Sequence, residues 1–167
     1  MTQEWKKLND YPNYSISNMG QIKNDKTGRF LKPSMKGNYI GANLWNEDKK
    51  PNSIAIHRLV ALAFIPNENN YNQIDHINRD KLDNRVENLR WCNNGLNQTN
   101  KLKRPNTSSK YKGVSYNKRD ELWYCSIQIK NERKHLGYFK NENEAGLAYN
   151  QYILDHNLQE FYILNTI

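Results

Sequence analysis

The chain has 167 residues, 25 Lys+Arg against 17 Asp+Glu for a net charge of +8, and a mean hydropathy of −1.03 with 37% hydrophobic residues. That length holds one ordinary domain or two or three small modules with lean cores, and the basic balance favours a polyanionic partner such as nucleic acid, with a membrane surface as the rival. The longest apolar run, LVALAFI at 59–65, is too short to span a bilayer, and MTQEWKKLND at the N-terminus lacks the apolar stretch of a signal peptide, so a soluble intracellular protein is expected.

In chain order, residues 12–46 contain short β-forming runs broken by Met-Gly, Thr-Gly, Lys-Gly and Ile-Gly, which predicts a small meander of strands. IAIHRLVALAFI at 54–65 reads as a strand turning into a helix, with Leu59, Leu62, Ala63 and Phe64 on one apolar surface. Residues 101–119 carry seven basic residues and no acid around a Pro-Asn-Thr-Ser-Ser stretch, as an exposed cationic linker would. WYCSIQIK at 123–130 alternates Trp123, Cys125, Ile127 and Ile129 with Tyr124, Ser126, Gln128 and Lys130, the pattern of a half-buried strand. A turn at Asn131–Glu132 returns the chain through RKHLGYF, and Asn141, as N-cap, opens a helix whose Ala145, Ala148, Tyr149, Tyr152 and Ile153 share one face. Cys92 and Cys125 sit in no paired motif and are expected as buried free thiols.

Residues 73–100, QIDHINRDKLDNRVENLRWCNNGLNQTN, concentrate the chemistry. Neighbouring strand residues point to opposite faces, so Asp75 and His76 are free to divide two tasks. Phosphodiester hydrolysis needs a base to take a proton from water and a cation to neutralise the phosphate and the leaving 3′ oxygen. An imidazole with an ordinary pKa near 6.5 suits the first task, and a hard carboxylate oxygen suits the second.

DHINRDKLDNRVENLRW followed by NNGLNQTN resembles the HNH, or ββα-metal, motif of nucleases, and HRLVALAFIPN upstream is similar to the phage homing-endonuclease branch of that family. The resemblance implies that His76 is the general base, that Asp75 and Asn97 hold a metal ion, and that the amide of Asn88 braces the loop, with Asn84 in reserve for that role. Many HNH enzymes have histidine where this chain has Asn97; a neutral oxygen donor there favours one Mg²⁺ or Mn²⁺ over Zn²⁺. His57 is expected to be structural, and His135 and His156, which lack carboxylate neighbours, are not expected to be catalytic.

Residues 110–165 resemble the plant ethylene-response-factor type DNA-binding domain through YKGV at 111–114, Trp123, HLGYF at 135–139, the helix around Glu144 to Tyr149, and Leu164-Asn165. In that family a three-stranded sheet enters the major groove, which would make Lys112, Ser115, Asn117, Arg119, Gln128, Arg133 and His135 the DNA contacts here. Residues 4–46 look like the small β-module that precedes HNH domains in homing endonucleases, with Lys23, Lys26, Arg29, Lys32 and Lys36 lining an accessory DNA surface or a solvated sheet edge.

The expected protein is therefore α+β: a β-module at 1–50, an HNH nuclease core of ββα-metal type at 51–102, a basic linker at 103–109, and at 110–167 a three-stranded antiparallel sheet packed on one helix. Its expected activity is site-specific cleavage of double-stranded DNA, nicking one strand as a monomer, without membrane or small-molecule partners and in the cytoplasm of a bacterium or phage-infected cell. A DNA-binding transcriptional regulator with an inactive core is the alternative. An RNA partner is disfavoured because an A-form helix hides its major groove. The richness in Asn, Lys, Ile and Tyr is consistent with an AT-rich phage or host genome.

Overall fold

The computed structural model describes residues 2–46, 48, 50–130 and 132–167, and the chain divides into two compact units, 1–93 and 94–167.

The first unit contains three small antiparallel sheets and one helix. Strands β1 (Trp5–Leu8), β2 (Tyr11–Ser17) and β3 (Ile22–Asn24) form the first sheet; β4 (Ser34–Lys36), β5 (Tyr39–Trp45) and β6 (Pro51–Ala55) form the second. The glycines of the expected meander divide accordingly: Gly20, Gly28 and Gly37 turn the chain at positive φ, whereas Gly41 lies inside β5, where a Cβ would stand 3.0 Å from the carbonyl of Ile54 on the neighbouring strand.

Strand β6 runs directly into α1 (Ile56–Phe64). The helix buries Ile56, Leu59 and Val60 against Leu8, Tyr11, Tyr14, Ile16, Ala42, Leu44 and Leu89, so the expected β-module and the start of the nuclease segment share one core. The expected apolar surface of this helix needs one correction. Leu62 is 60% exposed and Val60 is wholly buried, because a helix beginning at Ile56 turns positions 56, 59, 60 and 63 inward and 62 outward. The unit closes with a two-stranded ribbon, β7 (Gln73–His76) and β8 (Leu89–Cys92), joined by a loop that ends in a 3-10 turn at Val86–Asn88.

The second unit begins with the short helix α2 (Asn94–Thr99) and is built on strands β9 (Val114–Asn117), β10 (Leu122–Ile129) and β11 (Glu132–Phe139), backed by α3 (Glu142–Asp155). The expected alternation holds, with Cys125 and Ile127 buried against Ala145, Tyr149 and Ile153 of α3. Asn141 caps the helix by accepting the Asn143 N–H at 2.7 Å. Asn131, on which half of the expected turn falls, lies outside the described residues. A bulge shifts the β10–β11 register after Cys125, which pairs with Gly137, whereas Ser126 pairs with His135. The segment expected as a basic linker is tied down at one end, since the half-buried ammonium of Lys103 donates to the carbonyl of Val114 at 2.6 Å. Both cysteines are free and buried, and no described helix is long and apolar enough to cross a membrane.

Gly113 has φ +78°, and a Cβ there would fall 2.3 Å from Cδ2 of Tyr149 and 2.6 Å from the Ser126 carbonyl. Overpacking of this kind costs about 1–3 kcal/mol in addition to the backbone strain of a left-handed residue. Gly113→Ala should therefore lower the urea midpoint, with the β9–α3 contact amides losing protection from hydrogen exchange.

Candidate active site

The β7–β8 ribbon places Asp75 directly opposite Arg90. Both are buried, and the guanidinium donates twice to Oδ2 of Asp75, from Nε at 3.0 Å and from the terminal nitrogen Nη2 at 2.6 Å. The pair neutralises two charges in a poorly solvated place and pins the register of the ribbon.

His76, one residue on, is 5% exposed and faces different neighbours. Its Nε2 lies 3.3 Å from Oδ1 of Asn84, while Nδ2 of that amide donates to the Leu82 carbonyl at 3.1 Å. The second bond fixes which end of the amide is oxygen, so Nε2 carries the ring proton and Nδ1 the lone pair. The Tyr39 ring stacks on His76 at 6.0 Å, and His57 meets it edge-on at 5.1 Å. Burial pulls the pKa of His76 below 6.5, although the Asn84 hydrogen bond and the charge of Asp75 act the other way. The imidazole is thus neutral, as a base must be, at neutral pH.

Asn88 joins the two ends of the intervening loop. Its Oδ1 accepts the Asn78 N–H at 2.9 Å, its Nδ2 donates to the Asp83 carbonyl at 2.8 Å, and its own carbonyl accepts the Ile77 N–H at 2.8 Å. The loop's other polar groups are satisfied locally: Asn78 accepts from the Asp80 N–H, Asp80 from the Leu82 N–H, and Arg85 forks onto Asp83, holding that carboxyl well below the usual range, at about 2. The asparagine that spans the loop and the one that touches His76 are thus different residues. Asn97 lies on α2, which belongs to the second unit. Among the described residues no three His, Cys, Asp or Glu side chains gather as a metal cluster.

Sequence reading overlooked Arg90, Tyr39 and the contact of His57. Arg90 sits 15 residues from Asp75 across a loop of unknown register, and Tyr39 belongs to a different sheet, so neither carried a local signal. His57 also lines a cavity of about 620 Å³ together with Lys7, Lys36, Tyr39 and Arg58. Of the lysines expected on the N-terminal surface, Lys23 lies over Trp5 and beside Asp25, and Lys36 donates to the Ser53 carbonyl.

In the second unit, Ser115, Tyr124, Ser126, Gln128, Arg133, His135 and Tyr138 occupy the sheet face opposite α3, as their pairing with Cys125 and Ile127 neighbours requires. His135 stacks on Tyr124 at 4.9 Å, and Tyr138 packs against both; the two tyrosines were not among the expected contacts. Asn117 ends β9 and Arg119 lies in the β9–β10 turn, and both bond Asp120. The ammonium of Lys112 is directed at the carbonyls of Thr99 and Lys101 rather than at this face. His156 stacks on Tyr152 and bonds its carbonyl.

Residues 55–98 match the HNH endonuclease family and residues 4–42 match the NUMOD4 motif. The chain is homologous to the DNA endonuclease I-HmuI of Bacillus phage SP01, 32% identical over 103 residues, which are 60% of this chain and 59% of that protein. A solved structure of this HNH homing endonuclease, whose subject is its binding and cleavage of DNA, superposes with a TM-score of 0.53 at 32% identity, covering 58% of this chain and 56% of that one. Two uncharacterized HNH endonucleases of Acanthamoeba polyphaga mimivirus are 41% and 42% identical over 93 and 91 residues, 56% and 52% of this chain. The chain spans only 28% and 23% of those two proteins' length.

Two outcomes test the electrostatics. Arg90→Ala strands the Asp75 carboxylate in a buried site and should cost about 3–5 kcal/mol in urea unfolding at pH 7. His57 is half-buried, its Nδ1 has no hydrogen-bond partner among the described residues, and burial, then the positive charges of His76 and Arg58, lowers its pKa from 6.5 to about 4. Because the folded value is the lower one, the neutral ring's contribution to stability is complete above 6.5 and is lost as pH falls through about 4. The urea midpoint should drop between pH 7 and pH 4.5, and His57→Gln should flatten that dependence.

Proposed function

We propose that this protein is a site-specific DNA endonuclease of the homing type, in which the first unit cuts and the second unit reads. The observation carrying this reading is a buried His76 whose Nε2 meets the Asn84 amide oxygen, next in sequence to the buried Asp75–Arg90 pair and within the segment that matches HNH endonucleases.

His76 is the general base. A water oxygen attacks the phosphorus, its proton passes to Nδ1 of His76, and the bond from phosphorus to the 3′ oxygen breaks, that oxygen taking a proton from solvent, to leave a 5′-phosphate and a 3′-hydroxyl. Asn88 acts as the brace that holds the loop beyond β7, and so the base, in place. Asp75 offers a hard carboxylate oxygen, the donor type that Mg²⁺ or Mn²⁺ takes. A divalent ion held by such a donor would neutralise charge at the phosphate and the leaving oxygen. The two hydrogen bonds from the Arg90 guanidinium hold the Asp75 carboxylate oriented for that duty.

The second unit is proposed to be an ethylene-response-factor type DNA-binding domain, with Ser115, Gln128, Arg133 and His135 facing the major groove and Asn117 and Arg119 at its edge. Phosphate contacts by the basic flanks give affinity and make binding fall with salt. One site cuts one strand, so the protein nicks as a monomer.

Supercoiled plasmid carrying candidate sites, with Mg²⁺ or with EDTA, tests the assignment. His76→Ala should slow nicking by about 10²–10⁴-fold, and EDTA should stop it. Arg133→Ala should weaken DNA binding while metal-dependent cutting survives at high protein concentration. Equal nicking by wild type and His76→Ala would reject the general-base role.

A further inference from the structure

The turn between β2 and β3 reaches the imidazole through one intermediary. Ser17 is fully buried; its carbonyl accepts the Gly20 N–H at 2.9 Å and its hydroxyl accepts the N–H groups of Met19 and Gln21 at 3.3 and 3.0 Å. Gly20 takes φ +81°, and a Cβ there would stand 3.1 Å from Cβ of Asn84 and 3.2 Å from Cγ2 of Ile56. Only a residue without a side chain lets the backbone approach Asn84 this closely. Two residues past Asn84, the Val86 N–H donates to the Asn18 carbonyl at 2.8 Å, and the Asn18 side chain is itself tied to the Glu4 N–H and the Thr2 carbonyl. Asn84, 6% exposed, is thus packed by the turn on one side and fixed by the backbone on the other, with its amide oxygen on Nε2 of His76.

We propose that the turn of the NUMOD4 motif is a positioning element of the nuclease site: Ser17 to Gln21 hold Asn84, and Asn84 sets the tautomer and ring orientation of His76. The motif thereby contributes to turnover and not to DNA binding alone. The inference rests on His76 being the base, and it deepens that reading by adding Asn84 as the residue that orients the ring within the loop that Asn88 braces. A rotation of the ring displaces Nδ1 from the attacking water, and a misplacement of about 1 Å costs on the order of 10²-fold in rate.

The test uses the full chain labelled with ¹⁵N-histidine, whose ring nitrogen shifts report the tautomer, alongside the nicking assay at saturating DNA. Wild type should show one tautomer for His76, protonated at Nε2. Asn84→Ala should give a mixture and a turnover about 10–10²-fold lower, with DNA affinity within about twofold. Gly20→Ala should move both readouts the same way, and Asn84→Asp, which retains an acceptor, should restore the single tautomer. An Asn84→Ala protein with unchanged His76 shifts and turnover overturns the proposal. A changed tautomer in a protein whose wild type cuts no DNA supports the positioning role and rejects the nuclease reading instead.

Discussion

Burial of two adjacent polar residues on one strand is the constraint around which the first unit is organised. Side chains at successive strand positions leave on opposite faces, so Asp75 and His76 cannot share a partner, and an unpaired buried group costs a few kcal/mol. Asp75 is answered across the ribbon by Arg90, and His76 is answered by Asn84 from the loop and by the rings of Tyr39 and His57. A slip of one residue in the ribbon would send Arg90 to the wrong face and leave both charges stranded. The ion pair therefore matters more for register than for net stability, since the desolvation of a buried pair largely offsets its attraction.

Three asparagines of the loop after His76 illustrate how one residue type does unlike work. Asn78 accepts a hydrogen bond from an N–H two residues on, the ordinary turn chemistry of its type. Asn88 spans the loop from Asn78 to Asp83, and Asn84 couples the imidazole to a backbone carbonyl. The difference is burial: both lie within the folded interior, where an amide with donor and acceptor satisfied is rigid and an exposed one is not.

Much of this was legible in the sequence wherever the pattern is local. Alternation over 123–130 located the buried face of β10, an asparagine followed by acidic residues located the start of α3, and the ordered Asp-His, Asn, Asn set located the ribbon. What was not legible depends on distance along the chain. The phase of α1 was misread at Leu62 because the strand before it ends at Ala55, a boundary that tertiary packing decides. The β10–β11 bulge, the Arg90 partner and the ring of Tyr39 each require a register or a sheet-to-sheet packing that no window of residues contains.

Formal charge is likewise a poorer guide than the geometry of the cations. Of the basic residues that raised the expectation of a nucleic-acid partner, Lys103 and Lys112 direct their ammonium groups at backbone carbonyls, Arg85 is held between Asp83 and Glu87, and Arg119 lies on Asp120. An ammonium that already donates to the protein must give up those bonds to meet a phosphate, so its share in releasing counterions from DNA is reduced. The exposed Arg133 lies on the outer sheet face beside the stacked rings of Tyr124 and His135, and none of its neighbours in the strand register is acidic at the paired position, Gln128. Charge placed beside flat aromatic surface on a rigid sheet suits recognition better than charge on a flexible linker, because less conformational freedom is lost on binding.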